Sequence, residues 1–74
     1  MNNKDLKKLA EKIKETRLSK NLTQEELAHK CNFDRTYISM LERAKRNPSY
    51  LNLLKLCEGL EIQICELLKD KEIQ

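Results

Sequence analysis

The sequence predicts an all-α fold of five short helices, and three observations carry that prediction. Gly and Pro occur once each in 74 residues, too few turn-formers for an all-β sandwich or barrel. Leu, Lys and Glu, all good helix formers, are abundant. Apolar residues recur at three-to-four spacing in successive segments, each bounded by residues that start or stop helices.

A chain this short makes one domain, residues 1–74, with no internal repeat or linker. Such a domain buries only about 60% of the surface its unfolded chain exposes, so association is a natural source of extra stability.

The first helix is expected from about Lys4 to Ser19, with Leu6, Leu9, Ile13 and Arg17 on one face. Lys20-Asn21 ends it, because Asn tolerates the left-handed conformation common at helix exits. The second helix has the clearest start. Thr23 is a natural N-cap with Glu26 three residues on, and Leu22 and Leu27 occupy the positions of a hydrophobic staple. It is expected to run to about Lys30, with Leu27, Ala28 and Cys31 inward.

Cys31-Asn32-Phe33 forms the turn, Asn32 taking positive φ at low cost. Asp34 then offers a carboxylate cap to a third helix, about Arg35 to Ala44, which buries Ile38 and Leu41. Lys45-Arg46-Asn47-Pro48 is a loop, since Pro48 disfavours helix at Asn47. Ser49 caps a fourth helix, about Tyr50 to Leu60, with Leu53, Leu56, Cys57 and Leu60 inward. A fifth follows, about Ile64 to Lys69, and Asp70 to Gln74 is expected to fray.

The net charge of +3 is unevenly spread. Residues 1–20 hold seven Lys/Arg against three acids, and residues 34–46 hold Arg35, Arg43, Lys45 and Arg46 against Asp34 and Glu42. From Tyr50 onward three lysines face Glu58, Glu61, Glu66, Asp70 and Glu72. A basic front and acidic rear fit a polyanionic partner on one side.

No apolar run approaches the roughly 18 residues of a membrane span, and the N-terminus carries no signal-peptide core. A cytoplasmic location is the expectation. Cys31, Cys57 and Cys65 lack CxxC spacing and sit in apolar patterns, so they read as buried free thiols. His29 has no partner at metal-ligand or triad spacing and reads as a solvated side chain. No Gly-rich phosphate loop or nucleophile elbow is present, so neither catalytic residues, metal nor cofactor is expected, nor a small-molecule substrate.

The second and third helices are too short to persist alone and must be packed together. Small Ala28 permits close crossing, Asn32 turns the chain, and Ile38 and Leu41 lock the third helix down. Its N-terminal part then projects as a helix that reads the major groove requires.

The segment LTQEELAHKCNFDRTYISMLERAKRNPS closely resembles the helix-turn-helix of the lambda repressor/Cro-type family. The run DRTYIS followed by ER and RNPS is most similar to the controller proteins of restriction–modification systems. The resemblance covers about residues 6–69 and implies a five-helix lambda-repressor-like DNA-binding domain with its helix-turn-helix at 23–44. It implies that Gln24 anchors a phosphate of double-stranded DNA, that Arg35, Thr36 and Ser39 form the base-reading surface, and that Arg43 and Arg46 form a basic end beyond it. It also implies a buried ion pair between Arg17 and Glu42.

Side-chain chemistry agrees. Arg35 can bond O6 and N7 of one guanine, a contact that discriminates by about 1–3 kcal/mol; the competing reading pairs it with Asp34 or a phosphate. Thr36 and Ser39 can bond bases, phosphates or water. Tyr37 either packs with its hydroxyl outward or reaches DNA, and Met40 either touches bases or packs. Lys45, Arg46 and Asn47 are expected on the phosphate backbone, with the groove open to Arg46.

One recognition helix reads few base pairs, whereas a two-fold dimer sets two about 34 Å apart, one turn of DNA. Leu51, Ile62, Ile64, Cys65 and Leu68 exceed what a core this small needs, so helices over about 50–69 are expected to form a homodimer interface. Controller behaviour implies a transcriptional regulator that binds a symmetric operator, with a second dimer on an adjacent site. The alternatives are a phage-type repressor or antitoxin of the same fold, or a helical protein-interaction module that does not bind DNA. Four departures from the family pattern stand out. Ala44 sits where glycine is common after ER, Glu61 replaces a frequent capping glycine, Gly59 falls inside the fourth helix at a cost of up to about 1 kcal/mol, and Leu51 is apolar where related sequences often carry an exposed acid.

Overall fold

The computed structural model describes residues 3–68. Five helices follow in order: α1 Asn3–Ser19, α2 Gln24–Cys31, α3 Arg35–Glu42, α4 Tyr50–Leu60 and α5 Ile64–Leu68. Lys69 and the expected fraying of Asp70 to Gln74 lie outside the described residues.

Apart from Leu6 of α1, which is only half-buried, the inward faces expected of α1 to α4 assemble one core. Leu9, Ile13, Leu27, Ala28, Ile38, Leu41, Leu53, Leu56 and Leu60 are all buried, with Leu67 from α5 closing the far end. Each fully buried Leu or Ile contributes about 1.5–3 kcal/mol. α2 packs on α3 and α4, α1 on α3 and α5, and α4 on α5.

The helix starts follow the caps read from the sequence, with one exception. Thr23 and Glu26 close a full capping box: Thr23 Oγ1 accepts from the Glu26 N–H at 3.0 Å, and the Thr23 N–H donates to Glu26 Oε1 at 2.8 Å. Ser49 Oγ accepts from the Asn52 N–H at 3.1 Å. Asp34 holds the N-cap backbone conformation of α3, but its carboxylate makes no cap hydrogen bond. The expected carboxylate cap is therefore corrected to a backbone-only start.

α1 to α4 leave by one geometry. Asn21, Asn32, Ala44 and Glu61 take φ of 59°, 60°, 58° and 59°. After each, the next N–H reaches back to a carbonyl of the last turn: Leu22 to Arg17, Phe33 to Ala28, Lys45 to Met40 and Ile62 to Cys57. α3 therefore ends at Glu42 instead of running to Ala44, because Ala44 supplies the left-handed residue that glycine usually fills. A Cβ there costs on the order of 1 kcal/mol.

Gly59 serves a different purpose. A Cβ at this position would stand 2.4 Å from Cys31 Sγ, so glycine lets α4 press directly on the end of α2. Cys31 and Cys57 are buried, and burial pushes the Cys31 thiol up to about 11 and raises Cys57 as well. Cys65 is exposed, which corrects its reading as a buried thiol: α5 is one and a half turns long and buries only Leu67.

Candidate nucleic-acid interface

α3 is fixed from beneath. Ile38 and Leu41 are 0% and 1% exposed, which turns Arg35 and Thr36, one turn earlier, fully outward. Tyr37, Ser39 and Met40 lie at the margin, half-buried. Arg43, Lys45, Arg46 and Asn47 are all exposed around the helix exit.

A buried ion pair sets the height of α3 above α1. Arg17 Nε donates to Glu42 Oε2 at 2.6 Å, Nη2 to Glu42 Oε1 at 3.0 Å, and Nη1 to the Leu22 carbonyl at 2.7 Å. Such a bidentate pair is held by geometry as well as charge. Glu42 Oε1 also accepts from Gln24 Nε2 at 3.1 Å. Gln24 thus stands at the start of α2 with one amide proton committed to Glu42 and a second not used in that bond.

An open cleft of about 510 Å³ runs beside the start of α3, bounded by Asn32, Asp34, Thr36, Tyr37, Arg46 and Asn52 among others. Of the sequence-derived candidates, it brings together Thr36, Tyr37 and Arg46. Gln24, Arg35, Ser39, Arg43, Lys45 and Asn47 do not line it, and Gln24 is bound instead to Glu42 at the end of α3. Of the two readings of Tyr37 the structure shows the packing one, with the hydroxyl engaged: its ring packs edge to face on Phe33 while its hydroxyl accepts from Asn52 Nδ2 at 2.9 Å. Phe33, Asn52 and Lys55 were not among the sequence candidates. Their contacts cross 4, 15 and 22 residues of sequence, and no local pattern marks them.

The apolar surface is likewise uneven. Of the residues expected at an interface with a second copy, Leu51 and Leu68 are 67% and 52% exposed, and Cys65 is exposed. Ile62 and Ile64 instead pack, half-buried, against the protein's own core. Tyr50 and Leu54 add exposed apolar area that sequence reasoning missed. Among the described residues no three His, Cys, Asp or Glu side chains stand where they could hold a metal ion, and no helix is long and apolar enough to cross a membrane.

A family model described as helix-turn-helix matches residues 13–67, α2 and α3 at its centre. The chain belongs to that helix-turn-helix family. Within it, the chain falls with the controller proteins of restriction–modification systems. It is 46% identical over 59 residues to the control protein C.BamHI of Bacillus amyloliquefaciens, covering 78% of this chain and 73% of that one. The crystal structure of the controller C.AhdI from Aeromonas hydrophila superposes with a TM-score of 0.83 at 43% identity, covering 85% and 96% of the two chains. The controller C.Esp1396I, solved as a tetramer on its natural 35 base-pair operator, superposes with a TM-score of 0.77 at 44% identity, covering 88% and 96%.

Proposed function

We propose that this protein acts as a dimer on a two-fold symmetric operator in double-stranded DNA, regulating transcription in a restriction–modification system. The observation that carries the proposal is the posture of α3. Arg35 and Thr36 stand exposed on a helix whose other face is immobilised by Ile38, Leu41 and the Arg17–Glu42 pair. Arg35 is assigned to a guanine edge, and Thr36 and Ser39 to neighbouring bases. Gln24, Arg43, Lys45 and Asn47 are assigned to phosphates flanking the groove, with Tyr37 and Arg46 at the cleft.

Dimerisation is assigned to α4 and α5 through Leu51, Leu54, Cys65 and Leu68, with Ile62 and Ile64 supporting from beneath. The tetramer that C.Esp1396I forms on its operator supports an arrangement of two such dimers on adjacent sites. A DNA partner supports a cytoplasmic location, and the role we assign is one of binding.

Selection of bound duplexes from a random pool tests this reading. The expected product is a two-fold symmetric consensus with half-sites one helical turn apart. Arg35→Ala should relax preference at one base pair per half-site, while Lys45→Ala should weaken all sequences and flatten the salt dependence. A pool that stays unenriched sinks the proposal.

A further inference from the structure

Three parts of the chain meet in one stack beside α3. The Arg46 guanidinium lies over the Tyr37 ring, 5.2 Å from its centroid. Tyr37 meets Phe33 edge to face, with centroids 4.8 Å apart and planes at 68°. The Lys55 ammonium lies 5.7 Å from the Phe33 centroid. Asn52 Nδ2 donates to the Tyr37 hydroxyl at 2.9 Å.

We propose that Asn52 is a positioning residue for operator readout: it pins Tyr37, and the pinned ring aims Arg46 along the cleft. The proposal rests on the DNA-binding reading above and adds a residue from outside the helix-turn-helix to it. Asn52 is suited to this because both of its ends are held. Its backbone N–H is bound by the Ser49 cap at 3.1 Å, and its amide is bound to Tyr37. The position of the amide is therefore fixed by the start of α4 and does not drift with the loop.

Phe33 restrains one edge of the phenol, and Asn52 restrains the far end. An arginine laid on a ring fixed at both places has fewer rotamers to lose when it meets DNA. Arg46 sits on a loop between α3 and α4, exposed and with no hydrogen bond or ion pair to another described side chain. The ring is what orders it.

The test uses the full chain and a duplex that the wild type selects from a random pool, alongside a scrambled duplex. Asn52→Ala should weaken the selected duplex about fivefold, the worth of one net hydrogen bond, and leave the scrambled duplex within about twofold. In the Arg46→Ala background, Asn52→Ala should add no further loss. In the free protein, the side-chain order of Arg46, read by NMR at Nε, should fall in Asn52→Ala. It should return in Asn52→Asp, whose carboxylate accepts from the Tyr37 hydroxyl.

Losses that multiply between Asn52→Ala and Arg46→Ala, equal weakening of both duplexes, or Arg46 order indifferent to Asn52 would each overturn the positioning role. Failure of the DNA reading looks different: the wild type itself enriches no duplex. In that case the Arg46 order parameters still decide whether Asn52 aims the guanidinium.

Discussion

α2 and α3 are each eight residues long, yet their ends are built differently. α2 closes its start with the complete Thr23–Glu26 box and leaves through Asn32, a residue at ease with positive φ. α3 starts on Asp34 without a side-chain cap bond and leaves through Ala44, whose Cβ resists the same conformation. Neither is long enough to be stable alone. Both bury core residues, Leu27, Ala28 and Cys31 from α2 and Ile38 and Leu41 from α3, but α2 adds side-chain bonds at its own start, whereas α3 takes its added bond from Arg17 of α1 on Glu42. The supporting helix uses its end groups for itself. The reading helix leaves its first turn free and draws rigidity from contacts on its buried face and at its last turn.

That contrast is open to mutation. The largest effect is expected at Glu42, since Glu42→Ala removes the carboxylate partner of Arg17, a residue only 7% exposed. Breaking a buried pair by removing one partner costs about 3–5 kcal/mol, readable by urea denaturation. A loss under about 1 kcal/mol would mean that α3 does not lean on α1.

Gly59→Ala tests the back of α2. Although alanine is the better helix former, its Cβ meets Cys31 Sγ, and overpacking of this kind costs about 1–3 kcal/mol. The partner change Cys31→Ala should recover part of that loss in the double variant, a coupling visible in a double-mutant cycle.

The two N-caps give a sharper comparison. Thr23→Ala should cost about 1 kcal/mol, whereas Asp34→Ala should stay within about 0.5 kcal/mol. Equal losses would restore a carboxylate cap to α3 and erase the distinction drawn here. Smallest and opposite in sign, Ala44→Gly should stabilise the domain by roughly 0.5–1 kcal/mol, seen as a raised thermal midpoint.

Local signals in the sequence were sufficient for the helices, the Thr23 box, the Asn32 turn and the inward faces, because periodicity and capping act within one or two turns. The Arg17–Glu42 pair was legible only through family resemblance, since nothing in spacing alone joins residues 25 apart. Other features left no local trace. Asp34 has the identity of a cap without the bond, Gly59 makes sense only against Cys31, and Asn52 reads as an ordinary polar residue of α4 until Tyr37 is placed beside it. Cys65, Ile62 and Ile64 share an apolar character that does not say which of them the short α5 region turns outward. Each depends on how two elements meet, and no pattern within one element encodes that.

The outward stance of Arg35 and Thr36 has an evolutionary consequence. Among the described residues neither side chain forms an ion pair or hydrogen bond, and both are exposed, so exchanging them leaves the protein's folding nearly untouched. On the proposed assignment of Arg35 and Thr36 to base edges, stability and target preference are under separate genetic control in this domain. A lineage can drift from one DNA site to another by single substitutions without passing through an unfolded ancestor.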